Sequence, residues 1–551
     1  MTHSTKTRSN KHQPKQKQQQ SLSLFISFSL SHVNLSTMSS IFLLFVSLLS
    51  LLSLSCAQSL RGILIDCGAI AGSTINGNRW LPDAEYISSG TPKIVATAVT
   101  VPILSTVRSF PNELHKKFCY VVPVFRGDKY MVRTTYFYGG VNSRDSPTVF
   151  DQMVDGTFWS VVNTTDDYAL GWSSYYEGVF LAQGKTMSVC IGSNTYTESD
   201  PFISALEFVL LGDSLYNSTD FGKHGLSLIA RHSFGYNGTD NLRYPDDQFD
   251  RFWEPLGDNA HTVAGNKNVS VSGFWNLPPQ KVFETALATR QAESMELRWP
   301  PVLLLSSRYY IALYFADNPD SSPEASRVFD VILNGVTYYR NLNVTSEGVV
   351  VFAMSWPLVG ATNLTLNPAV GSIRGPLING GEIFQLLDLG GRTHTRDAIA
   401  LDKLRNSIQN PPPDWKGDPC LPRQYSWTGV TCSDGPRIRV VTLNLTNMGL
   451  SGSLPREISN LTALTGIWLG NNSLSGLIPD LSSLRRLESL HLENNHFSGE
   501  IPSSLGNIQS LRELFVQNNN LTGQIPSSLV TKPGLNLKTS PGNHLSSLPP
   551  S

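Results

Sequence analysis

Trp468, His491 and Phe515 follow one another at intervals of 23 and 24 residues, and Asn444 stands 24 residues before the first of them. An indole, an imidazole and a phenyl ring spaced this regularly offer recognition chemistry, flat apolar faces of the kind that anchors interfaces. His491 adds a group that changes charge near neutrality, so set against a partner carboxylate it would make docking depend on pH. Beside this column stand Thr442 and Thr446, Gly466 and Gly470, Ser489 and Glu493, and Glu513 and Gln517. Motifs for covalent or phosphoryl chemistry are missing: there is no G-x-S-x-G elbow, phosphate-cradling glycine loop, H-E-x-x-H or kinase signature. The cysteines are scattered with no histidine at ligand spacing, so neither a metal nor another cofactor is expected. Paired glycosidase carboxylates leave no local signature, so a carbohydrate-active enzyme is the alternative to a binding module.

The column is set by a repeat. Leu443-x-Leu445-x-Asn447-x-x-Leu450-x-Gly452 recurs from Ile467, Leu490 and Leu514 at steps of 24, 23 and 24 residues, each copy running on toward a Pro. This is a leucine-rich repeat, and its L-x-G-x-I-P form resembles the plant extracellular type. One coil cannot bury its own apolar face, so four coils must stack, with two inward side chains per strand and the residues between them on the concave side. Asn444, Trp468, His491 and Phe515 then form a docking stripe, with Glu493, Glu513 and Gln517 beside it; coverage by the chain's own linker or tail is the alternative. The repeat asparagines, Asn471 among them, are expected to point inward. Asn471 should therefore carry no glycan although it lies in a sequon. Cys420 and Cys432, 12 residues apart just before the first repeat, are read as a disulfide in the cap that closes the solenoid.

The 551 residues leave room for several domains, and a formal net charge of -1 gives no reason to expect nucleic acid as a partner. Residues 41–54 form a 14-residue apolar run broken only by Ser, followed by Ser55-Cys56-Ala57. The run is shorter than the about 20 residues of a membrane span, so it reads as a signal peptide cleaved after Ala57. Met38 is the expected start. Sequons at Asn163, Asn217, Asn237, Asn268, Asn343, Asn363, Asn444, Asn460 and Asn520 are glycosylation candidates in a secreted chain. Cys67, Cys119 and Cys190 leave one thiol over, and spacing alone does not pair them.

Residues 62–389 read differently, as short β-rich runs with many aromatics and Gly, Asn, Asp and Pro between them. A weak duplication runs through them. Tyr130 to Phe137, Phe150-Asp151 and Pro201 to Glu207 recur as Tyr310 to Phe315, Phe329-Asp330 and Pro376 to Glu382. Each half suits one β-sandwich. Asp250-Arg251-Phe252-Trp253 near the joint of the halves reads as a structural brace, with Arg251 paired to a carboxylate and Trp253 packed beneath it.

Ile65-Asp66-Cys67-Gly68, Arg108-Ser109-Phe110-Pro111, Tyr130 to Tyr138, Pro201 to Glu207 and Tyr244 to Trp253 resemble the tandem malectin-like ectodomain of plant receptors. Asp414-Trp415-Lys416-Gly417-Asp418-Pro419-Cys420, closing at Trp427-Thr428-Gly429-Val430-Thr431-Cys432, resembles the linker and cap leading from that ectodomain into the repeats. The resemblance implies a multidomain, mainly β fold: two tandem malectin-like β-sandwiches of jelly-roll type, then a short α/β leucine-rich-repeat solenoid. The expected layout is an N-terminal extension and signal peptide (1–57), sandwich one (58–225) and sandwich two (226–390). A Pro-rich linker with the cap (391–438), four repeats (439–535) and a flexible tail (536–551) follow.

It also implies a non-enzymatic, extracellular recognition protein. The sandwiches would bind a cell-wall carbohydrate or secreted peptide, and the solenoid would dock a receptor kinase or co-receptor ectodomain. By comparison with sugar-binding malectins, Tyr86, Tyr136, Phe137, Tyr138, Tyr314, Phe315 and Asp317 are the positions where rings and a carboxylate could meet a pyranose. Core packing is the favoured alternative for these strand aromatics. Location is expected in the apoplast or cell wall, or at the plasma membrane if a kinase-bearing receptor extends beyond Ser551. Membrane association would come only through the N-terminal apolar segment or such a C-terminal anchor.

Overall fold

The computed structural model describes residues 62–546 apart from 98, 143–147, 258–259, 266–268, 291–292 and 318–326. The signal segment, Asn268 and the last five residues lie outside them. An 11-stranded sheet runs through the first two-thirds of this region. Its order is Ser73–Ile75, Asn78–Pro82, Gly62–Asp66, Ala205–Leu210, Lys129–Tyr136, Ser174–Leu181, His224–Phe234, Gly380–Asp388, Leu304–Phe315 and Val349–Gly360, with Glu254–Leu256 beside His224–Phe234.

Each half of this sheet carries its own four-stranded partner. Lys117–Pro123, Thr186–Gly192, Val149–Val154 and Thr157–Asn163 cover the first half around Phe118, Tyr120, Tyr136, Phe150 and Phe208. Met295–Arg298, Asn363–Pro368, Val328–Leu333 and Val336–Asn343 cover the second around Tyr309, Ile311, Phe315, Phe329 and Leu366. Two sandwiches are therefore present, but they are sutured into one sheet where Gly178 meets Ser227 and Val179 meets Leu226.

Strand alternation decides which residues face where. Along Lys129–Tyr136, Tyr130, Val132 and Tyr136 enter the first sandwich, while Met131 enters a third apolar cluster on the opposite face together with Tyr216, Trp253, Tyr310 and Tyr314. Both faces are covered, so all eight residues of that strand are buried. Pairing also corrects the register of the duplication. Glu207 lies opposite Arg133 and Glu382 opposite Ala312, so Tyr136 corresponds to Phe315 and not to Tyr314.

The opposite face holds a buried ionic network instead of an exposed cleft. Arg133 bonds Glu177 at 2.9 Å, Glu207 at 3.1 Å and Asp250 at 3.2 Å, with the Phe252 ring 3.6 Å from its guanidinium carbon. Arg231 bridges Glu177 (2.7 Å) and Glu382 (3.0 Å), so Glu177 joins the two halves. Arg251 pairs with Asp247 at 2.9 Å over Trp253, whose indole N–H also donates to Asp247 at 2.9 Å. The Asp250 to Trp253 segment thus braces the joint.

In the solenoid, Val440–Asn444, Gly466–Trp468, Ser489–His491, Glu513–Phe515 and Asn536–Lys538 form a parallel ladder, with Val430–Cys432 added antiparallel from the cap. The inward pairs Leu443 and Leu445, Ile467 and Leu469, Leu490 and Leu492, and Leu514 and Val516 are all buried. A second ladder, from Ser451–Ser453 to His544–Ser546, 3-10 turns and one short α-helix, Ser527–Val530, form the far side.

Three expectations change here. The inward asparagines are Asn472, Asn495 and Asn519, one place after the expected set, and their amides donate to Leu445, Leu469 and Leu492 carbonyls. Asn471 has a positive φ of 58° and is exposed, accepting a bond from Asn494 Nδ2, so its side chain is not sequestered. Residues 536–546 are a fifth coil and not a loose tail, with Asn543 donating to the Val516 carbonyl in the same way. The segment 391–438, finally, is no free linker. Thr395–Ser407 forms a helix that packs Ala400, Leu401 and Leu404 into the solenoid core, and Asp397 holds Arg439 at 2.8 Å.

Candidate functional site

On the concave face the expected column is continuous. The Trp468 and His491 rings meet edge to face at 6.2 Å, and His491 stacks on Phe515 at 4.2 Å. The fifth coil adds a member that the four-repeat reading left out: Lys538, 23 residues after Phe515, with its ammonium 4.0 Å from the Phe515 ring centre. Continuing the 24, 23, 24 interval by one step would have found it. Trp468, His491 and Phe515 are each half-buried, so the ladder is supported by itself and still presents surface.

Neighbouring residues fix its posture. The indole lies across Gly466, where any β-carbon would overlap it. The Glu493 carboxylate lies against Gly470 in the same manner. Glu513 accepts from Ser489 at 2.8 Å and meets His491 Nε2 at 3.2 Å. The Ser489 hydroxyl, with help from His491, holds the Glu513 carboxyl below its ordinary pKa. His491 thus already faces a carboxylate of its own chain. Glu493 Oε2 and Gln517 Oε1 are buried and have no hydrogen-bond partner. Asn444, at the head of the column, is exposed.

The proposed sugar-contact positions fare differently. Tyr136, Phe137, Tyr138, Tyr314, Phe315 and Asp317 are all buried. Tyr136 donates to Gln152 at 2.8 Å, Tyr138 packs on Tyr168, Tyr314 donates to Glu382 at 2.6 Å, and Phe315 packs on Phe329. Asp317 is taken up by Arg327 and Arg374, each at 3.2 Å. These six offer no stacking platform, because each is buried, Tyr136, Tyr314 and Phe315 on strands covered on both faces and the others in the segments that follow them. Tyr86 alone is half-exposed. Asn163, Asn217, Asn237, Asn343, Asn363, Asn444, Asn460 and Asn520 are all exposed.

The cap joins the solenoid to the first sandwich. Cys420–Cys432 is bonded within it, and Trp415 stacks on Trp427 at 5.3 Å. A second disulfide, Cys119–Cys190, crosses two adjacent strands of the sandwich directly beneath Gly417, while Cys67 is a buried free thiol. Tyr425 donates to Asp151 at 2.7 Å, and Arg392 pairs with Asp155 at 2.8 Å. Lys117, buried in the sandwich, donates to the cap carbonyls of Asp418 (2.6 Å) and Leu421.

Burial pulls the Lys117 pKa down to about 8 from an ordinary 10.5, against the opposing pull of Asp418 and Asp414. Between those values the unfolded chain binds a proton that the folded chain does not, so this group's contribution to stability rises with pH across that window and is flat below it. Relative to Lys117→Met, the wild type should gain in thermal stability as the buffer goes from about pH 7 to about pH 10. Parallel pH profiles for the two proteins would mean that the ammonium is not buried at the joint.

Three family models match this chain: a malectin-like domain over residues 65–386, a leucine rich repeat N-terminal domain over 394–433, and leucine rich repeats over 486–508 and 510–531. A probable LRR receptor-like serine/threonine-protein kinase of Arabidopsis thaliana is 31% identical over 473 residues, 80% of this chain and 49% of its own length. A second leucine-rich repeat receptor-like serine/threonine-protein kinase of that plant is 30% identical over 456 residues, 78% of this chain and 50% of its own. The chain spans about half the length of these curated relatives. Among solved structures, the ANX2 ectodomain from Arabidopsis thaliana superposes with a TM-score of 0.50 at 15% identity, covering 59% of this chain and 97% of its own, a likeness of fold. No helix among the described residues is long and apolar enough to cross a membrane. Two covered half-sheets, a docked cap and a leucine-rich solenoid agree with a malectin-like match over more than half of the sequence, and the chain belongs to the malectin-like, leucine-rich-repeat receptor-like family.

Proposed function

We propose that this protein is a non-enzymatic extracellular recognition module that docks a receptor kinase or co-receptor ectodomain on its solenoid and takes a secreted peptide or cell-wall carbohydrate on its malectin-like sandwiches. The observation that carries the reading is the ladder Trp468, His491, Phe515, Lys538, a line of half-exposed rings on the concave face of a family of receptor-like proteins. Rings so placed are typical interface anchors. The apoplast is its place of action, with glycans on the exposed sequon asparagines. A second reading makes the chain the ectodomain portion of a membrane receptor-like kinase; its relatives' double length supports it.

The test is a binding screen of the immobilised chain against receptor ectodomains, secreted peptides and wall oligosaccharides. The variant Trp468→Ala/Phe515→Ala should lose the protein partner by about thirtyfold or more, equivalent to ~2 kcal/mol, and keep any sandwich ligand. Turnover of an oligosaccharide, with no partner sensitive to that variant, would replace the reading by an enzymatic one.

A further inference from the structure

The concave face is asymmetric in charge and in hydrogen bonding. At the fifth coil the ladder already holds a cation, the Lys538 ammonium over Phe515. No lysine or arginine stands in the three earlier coils of the column, where Asn444, Trp468 and His491 are. On the flank of the column, two residues past His491 and Phe515, lie two orphan acceptors, Glu493 Oε2 and Gln517 Oε1, which belong to successive coils at the same place in the repeat. Neighbouring coils set equivalent atoms about 4.8 Å apart, the spacing of hydrogen-bonded strands. A buried acceptor without a donor is held at a cost that an incoming donor removes.

We propose that the concave face takes an arginine-bearing peptide, whose guanidinium bridges Glu493 and Gln517 while the rest of the peptide lies along the ring column of His491 and Trp468. This rests on the solenoid's docking role and names the partner's chemistry. A guanidinium is planar, always charged and presents several N–H groups in a fixed fork, so it serves two separated acceptors at once, and it stacks on aromatic faces. An ammonium is a compact point charge and spans them less well. The sign of the charge follows from Glu493 and from Glu513, the carboxylates on this part of the face. Gly466 and Gly470 keep this part of the face open: the first gives way to the indole, the second to the carboxylate.

The full chain would be used to select from a phage-displayed random peptide library, and the enriched peptides would be synthesised and measured on variants. The expected outcome is a consensus containing arginine, with affinity falling at least about tenfold on Glu493→Gln and likewise when the peptide's arginine becomes lysine. Peptides that lose binding on Trp468→Ala/Phe515→Ala but ignore Glu493→Gln would overturn the arginine site and leave the docking face standing. Peptides indifferent to both variants, or no enrichment at all, would overturn the docking role itself. Uptake of a wall oligosaccharide that depends on Trp468, with no such peptide, would assign the face to sugar instead.

Discussion

Arg133→Met should cost the folded chain about 3–5 kcal/mol, the usual penalty for breaking a buried ion pair from one side. Three carboxylates converge on that guanidinium, Glu177, Glu207 and Asp250, and none of them is more than slightly exposed. Removing Arg133 leaves them to repel one another in a medium that screens little, with Arg231 and Arg243 as the remaining cations. Burial already pushes the Glu207 carboxyl above its ordinary pKa, so this group should take up a proton first. Stabilities of whole domains are only about 5–15 kcal/mol, and the variant should give a low yield of folded protein. Urea unfolding of the purified protein gives the number. Arg423→Ala, which removes a pair to the fully exposed Asp434, is the control and should change nothing measurable. A loss below about 1 kcal/mol for Arg133→Met would show that the network does not brace the joint.

Opening Cys119–Cys190 should destabilise more than opening Cys420–Cys432. The first spans 71 residues and the second 12, so chain-entropy arguments assign them about 4 and about 3 kcal/mol. Packing acts in the same direction. Cys119 and Cys190 form a small buried cluster with Met153 and the cap residue Tyr425, so their loss loosens the cap as well as the sandwich. Thermal unfolding of Cys119→Ala/Cys190→Ala beside Cys420→Ala/Cys432→Ala decides the order. The reverse order would mean that the cap's own closure limits the fold.

Much of this organisation could be read directly from spacing. The repeat interval placed the inward apolar pair of each of four coils and the aromatic column, since a solenoid's geometry is local and recurs. What failed was finer than the interval. Asn471 and Asn472, Asn494 and Asn495, and Asn518 and Asn519 are adjacent pairs, and only the backbone shows that the first of each takes positive φ while the second turns inward. The fifth coil lacks the repeat's leading leucine pair, offering Leu537 and Thr539 where the others have two apolar residues. In the sandwiches, a one-residue slip in matching Tyr136 to Tyr314 exchanged the two faces of the sheet, because side chains alternate. The suture between the halves needs only two residue pairs, Gly178 with Ser227 and Val179 with Leu226, and such a contact leaves no motif. The candidate sugar-contact aromatics are buried, in line with the core reading favoured for them, and Tyr136, Tyr314 and Phe315 lie on strands covered on both sides.

Among the described residues, the shared sheet and the docked cap tie the two sandwiches and the solenoid to one another. A receptor built as beads on a string can report a ligand by closing one bead on the next. Here one sheet of each sandwich is bonded to that of the other, and the solenoid's cap is tied to the first sandwich through Lys117, Tyr425 and Arg392. On the proposed reading such a tie makes the protein a bracket that sets two guests side by side, and a signal would arise from which guests are present at once.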